Sequence, residues 1–283
     1  MFPTPIHLTS RPTQLIFKIG LPLALMVWLL PIVAVAFTSV RGLGDLSAGN
    51  YWGLPTEWRI VENYSSVFKN TPLASYIINS FLVTIPTVIG ALALACMAGF
   101  ALGVYRFKLN LLVFFIFVGG NFVPFQILMV PVRDLSLRLG LYDTITGLAL
   151  FHIAFQTGFC TFFMRNFIRE LPRELIEAAR VEGASEIQIF FKVVLPLVRP
   201  AVAALSVLIF TFIWNDYFWA TVLIQGNHAM PVTGGLKSLN GMWVAQWHLV
   251  SAGSIVAAMP PVLIFFLMQK HFIAGLTFGA TKG

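Results

Sequence analysis

A few side chains able to hydrogen-bond stand inside long apolar stretches of this sequence: Asn79, Asn121, Gln126, Gln156, and Asn215 with Asp216 in the run from Thr211 to Trp219. Trp214 and Trp219 flank that last pair. A polar group inside a bilayer must find a partner or line a water-filled path, so these are the default functional candidates. Amides and a carboxylate beside aromatic rings suit a polyhydroxylated solute, whose hydroxyls take paired hydrogen bonds and whose C–H faces stack on rings. Helical spacing places Asn215 and Trp219 on one face with Thr211, and Phe212 with Asp216 on the next. The alternative for Asp216 is a cap or an ion pair near the outer interface, with the aromatics as an ordinary interfacial belt. His152, midway along its apolar run, reads as a hydrogen-bonded packing residue. Bond-breaking chemistry lacks its parts, since there is no H-E-x-x-H, no G-x-S-x-G and no pair of acids at depth. Cys96 and Cys160 both lie in apolar runs and read as packing residues rather than a disulfide or metal pair.

The elements that position these groups are membrane spans. Of the 283 residues, 58% are hydrophobic and 10% charged, and the mean hydropathy is +0.85; a soluble domain is about half apolar. The expected class is all-α and polytopic, because a hydrocarbon core takes roughly 20 apolar residues per helix. Six spans are expected, at about 15–40, 73–104, 110–130, 144–164, 201–224 and 251–273, in one membrane domain over 15–283 behind a polar tail, 1–14. The first run is longer than the roughly 7 to 15 residues of a signal h-region, so it reads as an uncleaved helix. Residues 41–72, 131–143 and 225–250 are outer connections, and Pro260-Pro261 is expected to kink the last helix, as neighbouring helices allow.

A formal charge of +7 on a soluble chain would point to nucleic acid, but here its distribution reports topology. With the tail placed inside, twelve Lys and Arg face five Glu on that side, and six bases balance six acids on the other. The excess of Lys and Arg marks the inner side. Both termini and residues 165–200 are therefore expected in the cytoplasm, with the bilayer and no nucleic acid as partner.

Residues 165–200 are the one long charged stretch, too polar to cross. Pro172 opens a helix, Gly183 can close it in the left-handed conformation, and Ser185 with Gln188 has capping-box spacing for a second short helix that ends before Pro196. Glu177-Ala178-Ala179, three residues, Gly183, nine residues and Val193-Val194-Leu195-Pro196 resemble the EAA loop of permease subunits of bacterial ATP-binding-cassette importers. Glu182 stands where the sugar branch usually has Asp, and Val193 where Ile is common. Trp214 to Trp219, Met230-Pro231-Val232 and the tail Gly275 to Gly283, with Thr281 in the usual place of Val, extend the resemblance to the carbohydrate branch of these permeases.

That resemblance implies a transport subunit that is no enzyme and binds no cofactor, with ATP and Mg on two partner ATPase subunits. It also implies a second homologous permease subunit and a periplasmic sugar-binding protein. Glu177 would offer a carboxylate to the ATPase, Ala178 and Ala179 would allow close approach, Gly183 would set the angle between the helices, and Leu195 and Pro196 would close the motif. A sugar is the expected solute, with a polyol or glycerol phosphate as the alternative. An ion-gradient carrier would want acids or bases on several spans, and only Asp216 qualifies.

Overall fold

The computed structural model describes residues 10–239 and 246–277, with side chains to 269. Its helices run in the order α1 (Arg11–Ser39), α2 (Leu43–Ser47), α3 (Ile60–Asn70), α4 (Leu73–Val104), α5 (Asn110–Gly119), α6 (Met129–Arg138) and α7 (Ile145–Arg169). There follow α8 (Arg173–Val181), α9 (Glu186–Ile189), α10 (Leu195–Leu197), α11 (Arg199–Trp214), α12 (Phe218–Leu223), α13 (Val232–Gly235) and α14 (Trp247–Thr277). No strand is formed among the described residues, apart from one isolated bridge between Arg41 and Trp58. Most of the motif expected at 275–283, together with residues 1–9 of the expected tail, lies outside the described residues.

Among the described residues, four helices are long and apolar enough to span a membrane by themselves: α1, α4, α7 and the Trp247–Gln269 part of α14. A fifth span is available if the stretch Glu186–Leu197 and α11, which meet at 72°, count as one bent pair. The chain is thus a multi-pass helical membrane protein, and the expected spans at 73–104 and 251–273 correspond to α4 and α14. The first helix begins at Arg11, inside the expected tail, and α14 runs unbroken through Pro260 and Pro261.

Two expected spans are broken instead. The third, at 110–130, is a short apolar helix extended by a 3-10 turn to Phe122. Val123 is extended (φ −72°, ψ 121°) because the ring of Pro124 disfavours helical backbone in the residue before it. The following connection, expected as a short outer segment at 131–143, is largely α6, which ends before Gly140 at φ +66°. The fifth, at 201–224, stops at Trp214 and restarts at Phe218.

The fourth span runs past residue 164 to Arg169, ending before Pro172.

Contacts divide the chain into two compact units, residues 1–71 with 238–256 and residues 72–237 with 257–283. In the first, Arg41 is buried and donates through Nη1 to Asn50 O (2.8 Å) and through Nη2 to Gly53 O, while Asp45 accepts from Thr56 N at 2.9 Å. Asn63 Nδ2 bridges Ser39 O and Arg41 O at 2.9 and 2.8 Å. Of the residues of α1 only Ser39 is buried.

The second unit is built on the seam between α4 and α7. Small residues make the approach possible: a Cβ on Gly99 would stand 2.8 Å from Met164 Cβ and 2.9 Å from Arg165 N, so backbone faces backbone there. Cys96, Cys160 and Met164 fill the same core, and both cysteines are free thiols. Thr87 Oγ1 bonds its own helix at Val83 O (2.7 Å), which removes a polar group from an apolar contact. Because neither backbone can yield, Gly99→Val is expected to destabilise this unit by about 1–3 kcal/mol, the ordinary cost of overpacking. A thermal-unfolding scan of the detergent-solubilised protein checks it, and an unchanged midpoint would remove the seam from this role.

Candidate functional site

Beside the α4–α7 seam lies an open cleft of about 480 Å³. One wall is a face of α7, where His152, Phe155, Gln156 and Phe159 recur at helical spacing. Thr144 sets the start of that helix by accepting from Gly147 N at 3.0 Å. Asn121 and Phe125 come from the break after α5, and Phe212, Asp216, Phe218 and Trp219 from the break between α11 and α12. The two broken spans therefore bring polar backbone and side chains to one cleft, which is the only setting in which a membrane tolerates irregular chain.

The second break is organised by Asp216. Its Oδ1 accepts from Trp219 N at 3.2 Å and its Oδ2 from Ala220 N at 2.9 Å, so the carboxylate caps α12. Its carbonyl accepts from Thr233 Oγ1 at 2.5 Å. Asn215 ends α11 and returns Nδ2 to Thr211 O at 2.9 Å. The continuous face expected for Thr211, Asn215 and Trp219 does not exist, because Asn215 and Asp216 each satisfy a helix end and so stabilise the interruption. The capping alternative for Asp216 is the one formed.

Opposite Asp216, His152 is buried, with Nε2 3.4 Å from Asp216 Oδ2 but without a hydrogen bond of its own. Gln156, half-buried on the same wall, has no hydrogen-bond partner for its side-chain amide among the described residues. Trp219 packs inward on Phe151, ring centroids 4.1 Å apart, and meets Phe218 edge-on at 5.3 Å.

Four of the eight expected side chains thus meet at the cleft, Asn121, Gln156, Asp216 and Trp219, while Gln126 is exposed outside its lining. Asn215, exposed, is outside its lining. Trp214 is 1% exposed and donates Nε1 to Ala257 O at 2.9 Å, against Phe81 and Phe210. Asn79, also buried, donates to His228 O and Met230 O at 3.0 and 3.1 Å, tying α4 to a loop 149 residues on. Both make their hydrogen bonds within the chain. Sequence reading passed over Phe125, Phe155 and Phe159 and took His152 as packing; the spacing 152, 155, 156, 159 is the signal that marks them as one face.

At the opposite end of α7 the charged loop folds as two short helices. Gly183 has φ +84°, and the bonds Ala184 N to Ala179 O and Gly183 N to Arg180 O, both 3.0 Å, form the double closure of a Schellman motif. Ser185 and Gln188 make the expected reciprocal capping box. Glu177 and Ala178 are exposed and Ala179 is half-buried. At the tip, Val181 and Ile187 are 89% and 72% exposed.

The second helix does not end before Pro196. It passes through a π turn, Phe190–Val194, into α10, which holds Leu195 and Pro196 in its first turn. Pro196 has no N–H to give to the turn before it, and the wider turn takes up the mismatch.

A three-residue staple fixes the loop. Arg180 Nε bonds Glu186 Oε1 at 2.7 Å across the turn, and Tyr105, at the end of α4, donates to Glu186 Oε2 at 2.5 Å. The Arg180 bond, followed by that from Tyr105, holds the Glu186 carboxyl below its usual range. A depressed carboxylate contributes stability above its unfolded pKa and loses it as pH falls through the folded one, so acidification loosens the loop. The pair is about 40% exposed, and such pairs contribute about 0.2–1 kcal/mol. Glu186→Gln is therefore expected to speed amide exchange in α8 and α9 by about two- to fivefold, read by hydrogen–deuterium exchange; unchanged exchange would show that the staple is idle.

Helices of spanning length, a cleft at two broken spans and an exposed helix–turn–helix define a membrane transport subunit. The family described as binding-protein-dependent transport system inner membrane component matches residues 74–277, and the chain belongs to it. It is the permease component of an ATP-binding-cassette importer; the ATPase is a separate subunit. It is 32% identical over 97% of its length, and 95% of the relative's, to the osmoprotective compounds uptake permease protein GgtD of Synechocystis. It is 31% identical over 90% of its length, and 91% of the relative's, to the melibiose/raffinose/stachyose import permease protein MelC of Bacillus subtilis. Its fold matches a membrane chain of a bacterial transporter importing the acidic polysaccharide alginate, with a TM-score of 0.80, 24% identity and coverage of 95% of this chain and 100% of that one.

Proposed function

We propose that this permease carries a neutral sugar across the bacterial inner membrane, and that the solute passes the cleft between His152, Gln156 and Asp216. The observation that carries the reading is Gln156, whose side-chain amide, with a donor and an acceptor, has no partner among the described residues and lines a cleft rimmed with aromatic rings. A sugar hydroxyl takes both ends of an amide, and its apolar face rests on Phe155 or Phe159. Asp216 puts an acidic side chain in the lining of the cleft, which disfavours an anionic solute. The relatives that import melibiose, raffinose and stachyose support the same class.

In this reading the loop 165–200 and both termini face the cytoplasm, where Glu177, Ala178 and Ala179 meet one of two ATPase subunits. ATP and Mg bind those subunits. A second, homologous permease completes the pathway, and a periplasmic binding protein delivers the solute. Closure of the ATPase pair moves the loop as a stapled unit, and Gly183 holds the angle between its two helices.

Uptake of labelled sugars, polyols and glycerol phosphate by cells lacking this chain, with and without its return, tests the proposal. Loss of one neutral sugar, restored by the wild type, is expected; selective loss of glycerol phosphate would overturn the sugar reading. Gln156→Ala should raise the KM of that uptake about 10-fold, as losing one to two hydrogen bonds does, while the chain stays in the membrane. Unchanged kinetics would take Gln156 off the path. Gly183→Val should abolish uptake without loss of protein, because a β-branched residue resists positive φ; full uptake would free the loop from this constraint.

A further inference from the structure

Where α4 ends, its last-turn carbonyls need donors. Leu102 O receives two, Asn110 Nδ2 at 3.1 Å and Arg165 Nε at 3.3 Å. The second is unusual, because Arg165 sits within the last two turns of a spanning helix and is 8% exposed. Its guanidinium lies over the Phe114 ring, 4.0 Å from the centroid, and has no ion pair among the described residues. Beyond the bond to Leu102, it makes no other hydrogen bond there.

A cavity of about 330 Å³ opens at this group. Arg106, Lys108, Arg169 and Arg173 line it with Arg165, and no carboxylate does. An adjoining groove of about 280 Å³ shares Arg106, Arg169 and Arg173 and leads away to Glu177 and Arg180. Five cations held around one small cavity repel each other, and one of them is desolvated. An anion of high charge density relieves both, and a guanidinium pair and an ammonium are the groups that bind phosphate.

The surroundings select the kind of phosphate. Phe107 and Leu111, which also line the cavity, are 46% and 58% exposed. Along α5 the exposure continues through Leu112, Phe115 and Ile116, at 56%, 58% and 67%. A basic floor thus continues into a strip of bare apolar helix, which fits a molecule with an anionic head and hydrocarbon tails. On a multi-pass membrane protein that strip meets the acyl region of the bilayer, so the basic cavity stands beside it at headgroup level, within reach of an anionic lipid.

We propose that the cavity between the α4–α5 turn and the end of α7 binds the phosphate headgroup of an anionic phospholipid, with its acyl chains lying along α5. The site is at the same end of the molecule as the two-helix loop and shares Arg106, Arg169 and Arg173 with the groove beneath α8. An occupied site would hold the loop's root in place. The inference does not depend on which solute is carried, and its test reads lipid retention rather than uptake.

The test is native mass spectrometry of the full-length protein in detergent, titrated with phosphatidylglycerol, phosphatidylcholine or inorganic phosphate. Wild-type protein should retain phosphatidylglycerol at least about 10-fold better than phosphatidylcholine, and millimolar phosphate should not displace it. Arg165→Gln should remove most of that preference. Because this variant also loses a cap on α4, the exposed pair Lys108→Gln with Arg169→Gln is the second arm, expected to lower retention about 10-fold or more, near fivefold for each base. Equal retention of the two lipids by the wild type, or full preference in the double variant, would overturn the site. Displacement by inorganic phosphate would overturn the lipid assignment in favour of a soluble anion.

Discussion

The contact between the backbones of α4 and α7 at Gly99 is the constraint on which the second unit depends. Inside lipid there is little hydrophobic gain in bringing two apolar helices together, so close packing and satisfied carbonyls must do it. Gly99 permits the approach, and Arg165, one residue past Met164, converts it into a hydrogen bond with the end of α4. The seam fixes α7, and α7 carries the cleft's wall at one level and the basic cavity at another. The loop inherits its position from the same place, because Tyr105 follows α4 directly and Glu186 hangs from its hydroxyl.

The two broken spans show how a membrane protein makes room for a solute. An unbroken helix satisfies its own backbone and offers only side chains. At Val123 and at 215–217 the chain leaves the helix, and in the second case Asp216 and Asn215 are spent on helix ends. Left in the lining are the amide of Gln156 on the intact helix, Asn121 at the first break and the rings around them. His152 adds a nitrogen that is buried beside a carboxylate yet not bonded to it.

Much of the fold was legible as composition. Apolar runs gave α4 to the residue and the place of α14, though four residues short at each end, and the loop's glycine turn and capping box follow from side chains that act within four positions of themselves. The breaks were not legible in that way, since residues 110–130 and 201–224 are as apolar as a continuous span. Pro124 was a local signal for the first. For the second, Asp216 can serve a path or a cap, and only the positions of the Trp219 and Ala220 amides decide. Asn79 and Trp214 looked like candidates for the same reason: their partners, His228, Met230 and Ala257, lie far along the chain, where no spacing rule reaches.

The π turn between α9 and α10 sets a rotational register. In a regular α-helix, residues five apart point about 140° away from each other, yet Ile189 and Val194 are both fully buried. The extra residue held in that turn brings them round to the same interior. Removing one residue there would swing everything before it by about 100°, turning Glu177 and the apolar tip away from their present bearing. The loop's aim is thus adjustable only in coarse angular steps, like a gear that can skip a tooth but cannot slip, and a pushing partner meets a part with no soft setting between them.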